Sequence, residues 1–224
     1  MYTAELDHSV SWLLQLLEHA GPREWPWNRE AVDSYRLFGD ASEPGAACDP
    51  RICAGVLCCP RAQRVRVFAV RVPADFLRKL VARQKQICVL ELLWAVLAAI
   101  LWGSLLRGAH VMLFEDNESA RGGLRKGMSR HVDINALLAS FWGLAALGKV
   151  GYWTDRVASA DNPADCLTKP GLCAAHLVGS TDDSAAVNWD DMFIILARIL
   201  DSGSVPQWTD IISLDGAGGT GTFQ

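Results

Sequence analysis

Four carboxylate side chains stand in settings that could bring them together at one site: Asp40, Glu91, Asp116 and Asp165. Asp40 and Asp116 each follow a short apolar run, and Glu91 lies inside a long one. Asp165 comes after an Asn-Pro-Ala sequence, which is typical of a helix start. Carboxylate oxygens are hard ligands that suit magnesium or manganese. The four residues are therefore candidate metal ligands.

Glu91 gives the strongest argument for a bound cation. Helical spacing places its side chain on the same apolar stripe as Ile87, Trp94 and Ala98. An unpaired carboxylate in such surroundings is unfavourable, and the predicted helix contains no Lys or Arg to pair with it. A cluster of acids repels itself unless cations lie among them. Two Mg²⁺ ions, with Mn²⁺ as a substitute, would satisfy the cluster, and such a pair can promote phosphodiester hydrolysis.

Each acid also has an interpretation that needs no metal. Asp40 could be a turn residue, and Glu91 could have a distant partner. Asp116 could cap a helix, and Asp165 could be a charge at a helix start. Their joint order, at strand ends and helix starts, favours a shared site.

The surrounding sequence predicts an α/β fold, a five-stranded mixed sheet flanked by helices on both faces. Strands are predicted over Tyr35–Phe38, Ile52–Cys59, Val65–Val72, Ala109–Phe114 and Lys149–Trp153. Helices are predicted over Ala74–Arg83, Ile87–Leu106, Asn117–Lys126 and Val132–Leu147, and one more starts near Pro163 with Asn162 as its N-cap and Asp165 at its third position. The first and fourth strands can be neighbours at the centre of this sheet. Asp40 and Asp116 would then meet at its carboxyl edge.

Composition divides the chain into three predicted regions: residues 1–33, 34–172 and 173–224. The first has an amphipathic helix over Ala4–Ala20 and a linker, and the last is acidic, with a helix over Trp189–Leu200 and a Gly-rich tail expected to be disordered. Residues 51–169 hold 17 basic and 9 acidic side chains, a net charge of +8, whereas each flank has a net charge of −6. A basic middle region suits a nucleic-acid partner. An uneven solvated surface is the alternative.

Seven cysteines, an odd number with no CxxC pair, predict reduced thiols in an intracellular protein, in the cytoplasm or the nucleus. No signal peptide is recognisable at Met1–Ala20. The cluster Cys48, Cys53, Cys58 and Cys59 lacks the paired ligand spacing of a zinc site. We interpret these cysteines as small buried side chains.

The apolar run Ile87–Leu106 is long enough to span a bilayer. Glu91 is unfavourable inside a span, and the flanking basic residues show no bias toward one side. A helix that is apolar all round also fits the interior of a large core. We favour the core helix and predict no membrane association, with a single-pass membrane protein as the alternative.

Several ordered motifs make residues 35–170 resemble the ribonuclease H domain of retroelement polyproteins. The motifs are Asp40–Ser42, Gly55–Leu57, Leu90–Val96, Phe114–Ala120, Lys126–Ser129, Arg156–Ser159 and Asn162–Thr168. The last of them resembles the family's ending, in which an Asn and an Ala-Asp pair precede a Leu and a Ser or Thr.

The resemblance implies endonucleolytic cleavage of the RNA strand of RNA–DNA hybrids, with the four acids as ligands of two Mg²⁺ ions. It also implies an upstream reverse-transcriptase domain in the parent element, and recognition of the duplex through its backbone shape and 2′-hydroxyls. Candidate phosphate contacts lie along the helix after Asp116: Asn117, Ser119, Arg121, Arg125 and Lys126. A solvated helix face is the alternative for them.

Three features depart from the family pattern. No histidine occurs in the loop Asp155–Ala164, Glu115 stands where the family often has Thr, and Gly122-Gly123 weakens the helix of candidate phosphate contacts. These departures bear on turnover more than on fold. A second hypothesis is therefore a catalytically inactive nucleic-acid-binding or structural module with the same fold.

Overall fold

A single mixed β-sheet organises the parts of the chain that the computed structural model describes, residues 34–43, 51–59, 62–83, 85–169 and 177–190, together with residue 14. Its strands are β1 (Ser34–Ser42), β2 (Ile52–Cys59), β3 (Arg64–Arg71), β4 (His110–Glu115), β5 (Gly151–Arg156) and β6 (Thr181–Asp182). Their order is β5-β4-β1-β2-β3-β6. β1, β2 and β3 are antiparallel, β4 is parallel to β1, and β5 is parallel to β4. The predicted central pairing of the first and fourth strands is confirmed.

Helices cover both faces of this sheet. They are α1 (Ala74–Lys79), α2 (Ile87–Leu101), α3 (Gly103–Leu106), α4 (Glu118–Lys126), α5 (Val132–Leu147) and α6 (Asp165–Thr168). On one face, α2 packs on α5 and on β1 and β2 within the main apolar core. On the other, Ala164 and Leu167 pack on Val56 and Val67 beside α6. The α/β architecture with helices on both faces is confirmed, and the sheet has one strand more than predicted.

The apolar run that resembled a membrane span forms two helices in the core. Helix α2 ends at Leu101, and α3 follows after Trp102, whose backbone (φ −109°, ψ 10°) interrupts the helix. The prediction of one helix over Ile87–Leu106 is therefore wrong. Residues 89–99 are buried, as expected of a core helix. No helix among the described residues is long and apolar enough to cross a membrane.

Several predicted boundaries differ from those observed. Strand β1 continues to Ser42, so Asp40 lies within the strand and not after it. Lys149 has a positive φ of 52° and belongs to the turn before β5, which begins only at Gly151. Short α1 ends at Lys79. The N-terminal helix, the linker, most of the helix predicted over Trp189–Leu200 and the Gly-rich tail lie outside the described residues.

The segment that contains β6 pairs with β3 and is anchored there by Asp183 and Ser184. Asp183 accepts hydrogen bonds from Arg66 Nε and Nη2, both at 2.7 Å, and from Trp102 Nε1 at 2.8 Å. The Ser184 hydroxyl accepts from the Ala69 amide at 2.9 Å. These bonds join residues 177–190 to β3, within the region predicted as a C-terminal extension.

Replacing Asp183 by Ala is expected to destabilise the protein by about 3 kcal/mol, because it leaves the buried Trp102 N–H and the Arg66 guanidinium without their acceptor. Urea unfolding followed by circular dichroism measures this change. Asp190 is an exposed acid of the same segment, and its replacement by Ala should change stability by less than about 0.5 kcal/mol. Equal effects of the two substitutions would contradict the anchoring role of Asp183.

Five cysteines lie in the described residues, and all are free thiols. Cys53 is fully buried and donates to the Leu90 carbonyl at 3.4 Å, as expected of a small core residue. Cys58, Cys59, Cys88 and Cys166 are half-buried. Among the described side chains, no group of cysteines comes close enough to hold a metal. Cys48 and Cys173 lie outside the described residues.

Candidate metal centre

Three of the four predicted acids converge at one edge of the sheet. Asp40 lies on β1, Glu91 on α2 and Asp116 directly after β4. One carboxylate oxygen of each lies within 4.8 Å of the other two. The parallel register explains how Asp40 and Asp116 meet, because Phe38 pairs with Phe114 and each acid lies two residues further along its chain segment.

Glu91 reaches this edge from the core side of α2. Its carboxylate is only 3% exposed and accepts a hydrogen bond from the Ala41 backbone N–H on β1. Its other oxygen, Oε2, is buried without any hydrogen-bond partner. A buried carboxylate oxygen of this kind is unfavourable unless a cation completes its surroundings. The residues present therefore fit a divalent metal ion with oxygen ligands.

The electrostatics of the cluster lead to the same conclusion. The pKa of Asp40 is raised to about 6 by burial and by the charges of Asp116 and Asp165, against the opposing effect of a hydrogen bond from Thr168. Burial, followed by repulsion from Glu115, Asp40 and Asp116, raises the pKa of Glu91 to about 11. A bound cation would favour the ionised forms and reverse both shifts.

Glu115 adds a fifth carboxylate beside this group. It is fully buried, and burial raises its pKa well above the ordinary value. Its Oε1 accepts from the Asn117 backbone N–H at 2.9 Å, and its Oε2 accepts from Trp94 Nε1 at 3.1 Å. The sequence indicated only an additional negative charge at this position. Its contact with Trp94 has no local sequence signal.

Asp165 lies near the three acids but outside the group whose oxygens are within 4.8 Å of one another. Its carboxylate forms an ion pair with Lys169, one turn further along. It is the first residue of α6 and not the third, because Ala164 and not Asn162 occupies the N-cap position. The predicted capping role of Asn162 is therefore wrong.

Asn162 instead ties this segment to the sheet. Its Nδ2 donates to the Gly39 carbonyl at 2.8 Å, and its Oδ1 accepts from the Ala164 backbone N–H at 3.1 Å. The Thr168 hydroxyl donates to Asp40 Oδ2 from the same segment. These contacts hold α6 against the residues around Asp40.

Ser159 is a further contact that the sequence did not indicate. It lies in the loop after β5, and its hydroxyl donates to Asp116 Oδ2 at 2.6 Å. Its place in the Arg-Val-Ala-Ser motif, just before the last acid, is the one signal that could have singled it out.

The five predicted phosphate contacts have different surroundings. Asn117 caps α4 by accepting from the Ser119 and Ala120 amides, at 3.0 and 3.1 Å. Arg121 pairs with Glu118 at 2.7 Å. Arg125 is exposed. Ser119 and Lys126 line an open cavity of about 470 Å³.

We call this cavity the basic groove. Its lining also includes Arg83, Lys85, Cys88 and His131, and one acid, Glu118, so that α2, α4 and the segment before α5 all contribute to it. Arg83 is held in place by the fully buried Asp133, to which its Nη1 donates at 2.6 Å. The groove therefore combines cationic side chains with the N-terminal region of the helix that follows Asp116.

No protein-family model matches the chain, and no curated protein matches it. Among solved structures, the chain is similar to the N-terminal RNase H domain of a Mycobacterium tuberculosis protein, solved as a fusion with maltose-binding protein. The two are 14% identical with a TM-score of 0.43, and the match covers 58% of this chain and 86% of that one.

Proposed function

We propose that this chain is a metal-dependent endonuclease of the ribonuclease H type, derived from a retroelement, which hydrolyses the RNA strand of RNA–DNA hybrids inside the cell. The observation that carries the proposal is the convergence of Asp40, Glu91 and Asp116 around a buried oxygen of Glu91 that has no partner. The order of the motifs along the chain supports the ribonuclease H type and the origin. It also supports an upstream reverse-transcriptase domain as the partner in the parent element.

In this proposal Asp40, Glu91 and Asp116 hold two Mg²⁺ ions, or Mn²⁺ in their place, with Asp165 as the fourth ligand. Bound there, such ions would supply an activated water and stabilisation of the leaving oxygen. The chain's own contribution is to fix its ligands before the substrate arrives. Thr168 orients Asp40, and Ser159 orients Asp116, each through a hydroxyl that donates to a carboxylate oxygen.

The basic groove is the proposed binding surface for the phosphates of the hybrid. It lies beside the first turn of α4, which begins two residues after Asp116, so a duplex lying in the groove would also pass the carboxylates. Contacts from Ser119, Lys126 and Lys85 to phosphates would carry no base information. The net charge of +8 over residues 51–169 supports a polyanionic partner. Asn117, Arg121 and Arg125 complete the proposed contact set from the same helix.

Replacing Lys126 by Gln is expected to weaken hybrid binding to a similar extent for every base sequence. The slope of log affinity against log salt should fall by about 1, because one phosphate contact is lost. Fluorescence anisotropy with labelled hybrids at several salt concentrations measures both effects. Arg64→Gln is the matched control, since Arg64 is exposed on β3 outside the lining of the basic groove. An equal loss with Arg64→Gln would indicate general attraction and not a contact in the groove.

A second candidate function is a nucleic-acid-binding module that does not cleave. One observation favours it: Asp165 is paired with Lys169 and lies outside the group of close oxygens.

The deciding experiment is an assay of the full chain on a labelled RNA–DNA hybrid in Mg²⁺ and in Mn²⁺. Duplex DNA, duplex RNA and single-stranded RNA are assayed alongside. The Asp116→Asn variant, purified in the same way, controls for contaminating nucleases. Cleavage of the RNA strand of the hybrid alone would establish the proposed enzyme. Binding without cleavage would favour the module, and neither binding nor cleavage would refute both.

A further inference from the structure

Trp94 contacts the residues that precede two of the candidate metal ligands, Asp40 and Asp116. It also lies one helical turn after the third candidate, Glu91. It is fully buried on α2, three residues after Glu91, so both side chains leave the same face of the helix. Its ring covers Gly39, where an added Cβ would overlap the ring atoms. Its Nε1 donates to Glu115 Oε2 at 3.1 Å. Gly39 directly precedes Asp40, and Glu115 directly precedes Asp116.

Glu115 extends this connection to the turn that carries Asp116. Its second oxygen accepts from the Asn117 backbone N–H at 2.9 Å, so the carboxylate joins both sides of Asp116 to α2. Asn117 in turn caps α4. A buried acid that served packing alone could be replaced by an apolar residue without loss. Both oxygens of Glu115 accept hydrogen bonds, and the two donors lie on different elements. This arrangement indicates that Glu115 holds these elements in position relative to each other.

We propose that Gly39, Trp94 and Glu115 form an outer-shell clamp that sets the distances between the carboxylates of Asp40, Glu91 and Asp116. This inference rests on the proposed metal site. A shift of α2 along the sheet would move Glu91 relative to the other two acids, and the Trp94 ring resists it through close contact with Gly39. A twist of the turn at Asp116 is opposed by the two hydrogen bonds of Glu115.

The three residues are positioning residues, since they act through the ligands and not on the substrate. Outer-shell partners of metal ligands typically change metal affinity by about 10- to 100-fold when they are replaced. Trp94→Phe keeps an aromatic ring over Gly39 but removes the N–H donor. Glu115→Gln keeps one acceptor oxygen and replaces the other by an amino group, which cannot accept a hydrogen bond. Because the two residues act through one hydrogen bond, their effects should not add.

The test is Mn²⁺ affinity measured by isothermal titration calorimetry on the folded full chain. Trp94→Phe and Glu115→Gln are each expected to weaken binding by about 10-fold or more, and the double variant by no more than the larger of the two. Trp102→Phe is the matched control. It removes a buried indole N–H at the other end of α2, where the acceptor is Asp183, and should leave Mn²⁺ affinity unchanged.

Any of the following outcomes would contradict the proposed clamp, and each has a different meaning. Weaker binding by Glu115→Gln with unchanged binding by Trp94→Phe would show that Glu115 acts without Trp94. An equal loss in Trp102→Phe would show that α2 loosens as a whole. Wild-type affinity in both variants would show a purely structural role. Failure of the unaltered chain to bind Mn²⁺ would remove the metal site itself, and the clamp with it.

Discussion

Replacing Asp116 by Asn is expected to reduce hybrid cleavage by at least about 1,000-fold, or about 4 kcal/mol in activation free energy. The substitution keeps the shape of the side chain but removes one of the three carboxylates whose oxygens lie within 4.8 Å of one another. Asp116 is half-buried, and its Oδ2 accepts from Ser159, which an amide oxygen can also do. The fold should therefore remain intact. Single-turnover cleavage in Mg²⁺ measures the loss, with circular dichroism to verify folding.

Asp155→Asn is the matched control for this prediction. Asp155 is an exposed acid on β5, opposite Phe114 in the parallel register, and it lies outside the carboxylate group. Its substitution should change cleavage less than twofold, on the order of 0.4 kcal/mol. Asp40→Asn should be as damaging as Asp116→Asn. Unchanged cleavage by both would remove these acids from the reaction.

Asp165→Asn tests whether Asp165 is the fourth ligand. In the structure its carboxylate forms an ion pair with Lys169, whose side chain is 53% exposed. If Asp165 serves as the fourth ligand, its substitution should reduce cleavage by a factor comparable to that for Asp116→Asn. A small effect would assign the reaction to the three convergent acids alone.

The central part of the site could be predicted because its signals are local. Short apolar runs located β1 and β4, and the predicted order of strands and helices allowed these two strands to be neighbours, with Asp40 and Asp116 at the same edge. The apolar stripe around Glu91 located the third acid. In each case the pattern that forms the element also orients the carboxylate, so short-range sequence information was sufficient.

The parts that could not be predicted depend on contacts between distant residues. Strand β6 has only two residues and no apolar pattern, and its position depends on the bonds of Asp183 to Arg66 and Trp102. The sequence around Asn162 predicted a helix cap. Its side-chain amide instead donates a hydrogen bond to the carbonyl of Gly39, 123 residues earlier in the chain. The same side chain is suited to either role, and only the tertiary structure selects between them.

The stability of the metal-free protein is expected to fall as the pH rises from 5 to 7.5. The pKa of Asp40 is raised from its ordinary 3.8 to about 6, and that of Glu91 from 4.5 to about 11. Between its ordinary and raised values, each group binds a proton more tightly in the folded state, so unfolding becomes easier as the pH increases. For Asp40 the change between pH 5 and 7.5 amounts to about 1.4 kcal/mol, nearly complete shortly above pH 6. The loss from Glu91 continues beyond neutral pH.

Other acids make the folded protein more stable as the pH rises, but they do so below pH 5. Hydrogen bonds from Arg83 hold the pKa of Asp133 below its ordinary value despite burial, and bonds from Ser184 do the same for Asp182. Their contributions are present above the ordinary value of 3.8 and are lost only at lower pH. Between pH 5 and 7.5 the buried cluster therefore dominates.

Urea unfolding at both pH values, in EDTA and in Mg²⁺, tests this expectation directly. Mg²⁺ at pH 7.5 should restore the lost stability, because it binds the folded state and favours the ionised carboxylates. Asp40→Asn should make the metal-free protein more stable at pH 7.5 and flatten its dependence on pH, whereas the exposed Asp190→Asn should do neither. A metal-free stability that rises with pH, or is unaffected by Mg²⁺, would contradict the destabilising cluster. It would also remove the physical reason for a cation at Glu91, because the folded protein would then favour the ionised carboxylates without one.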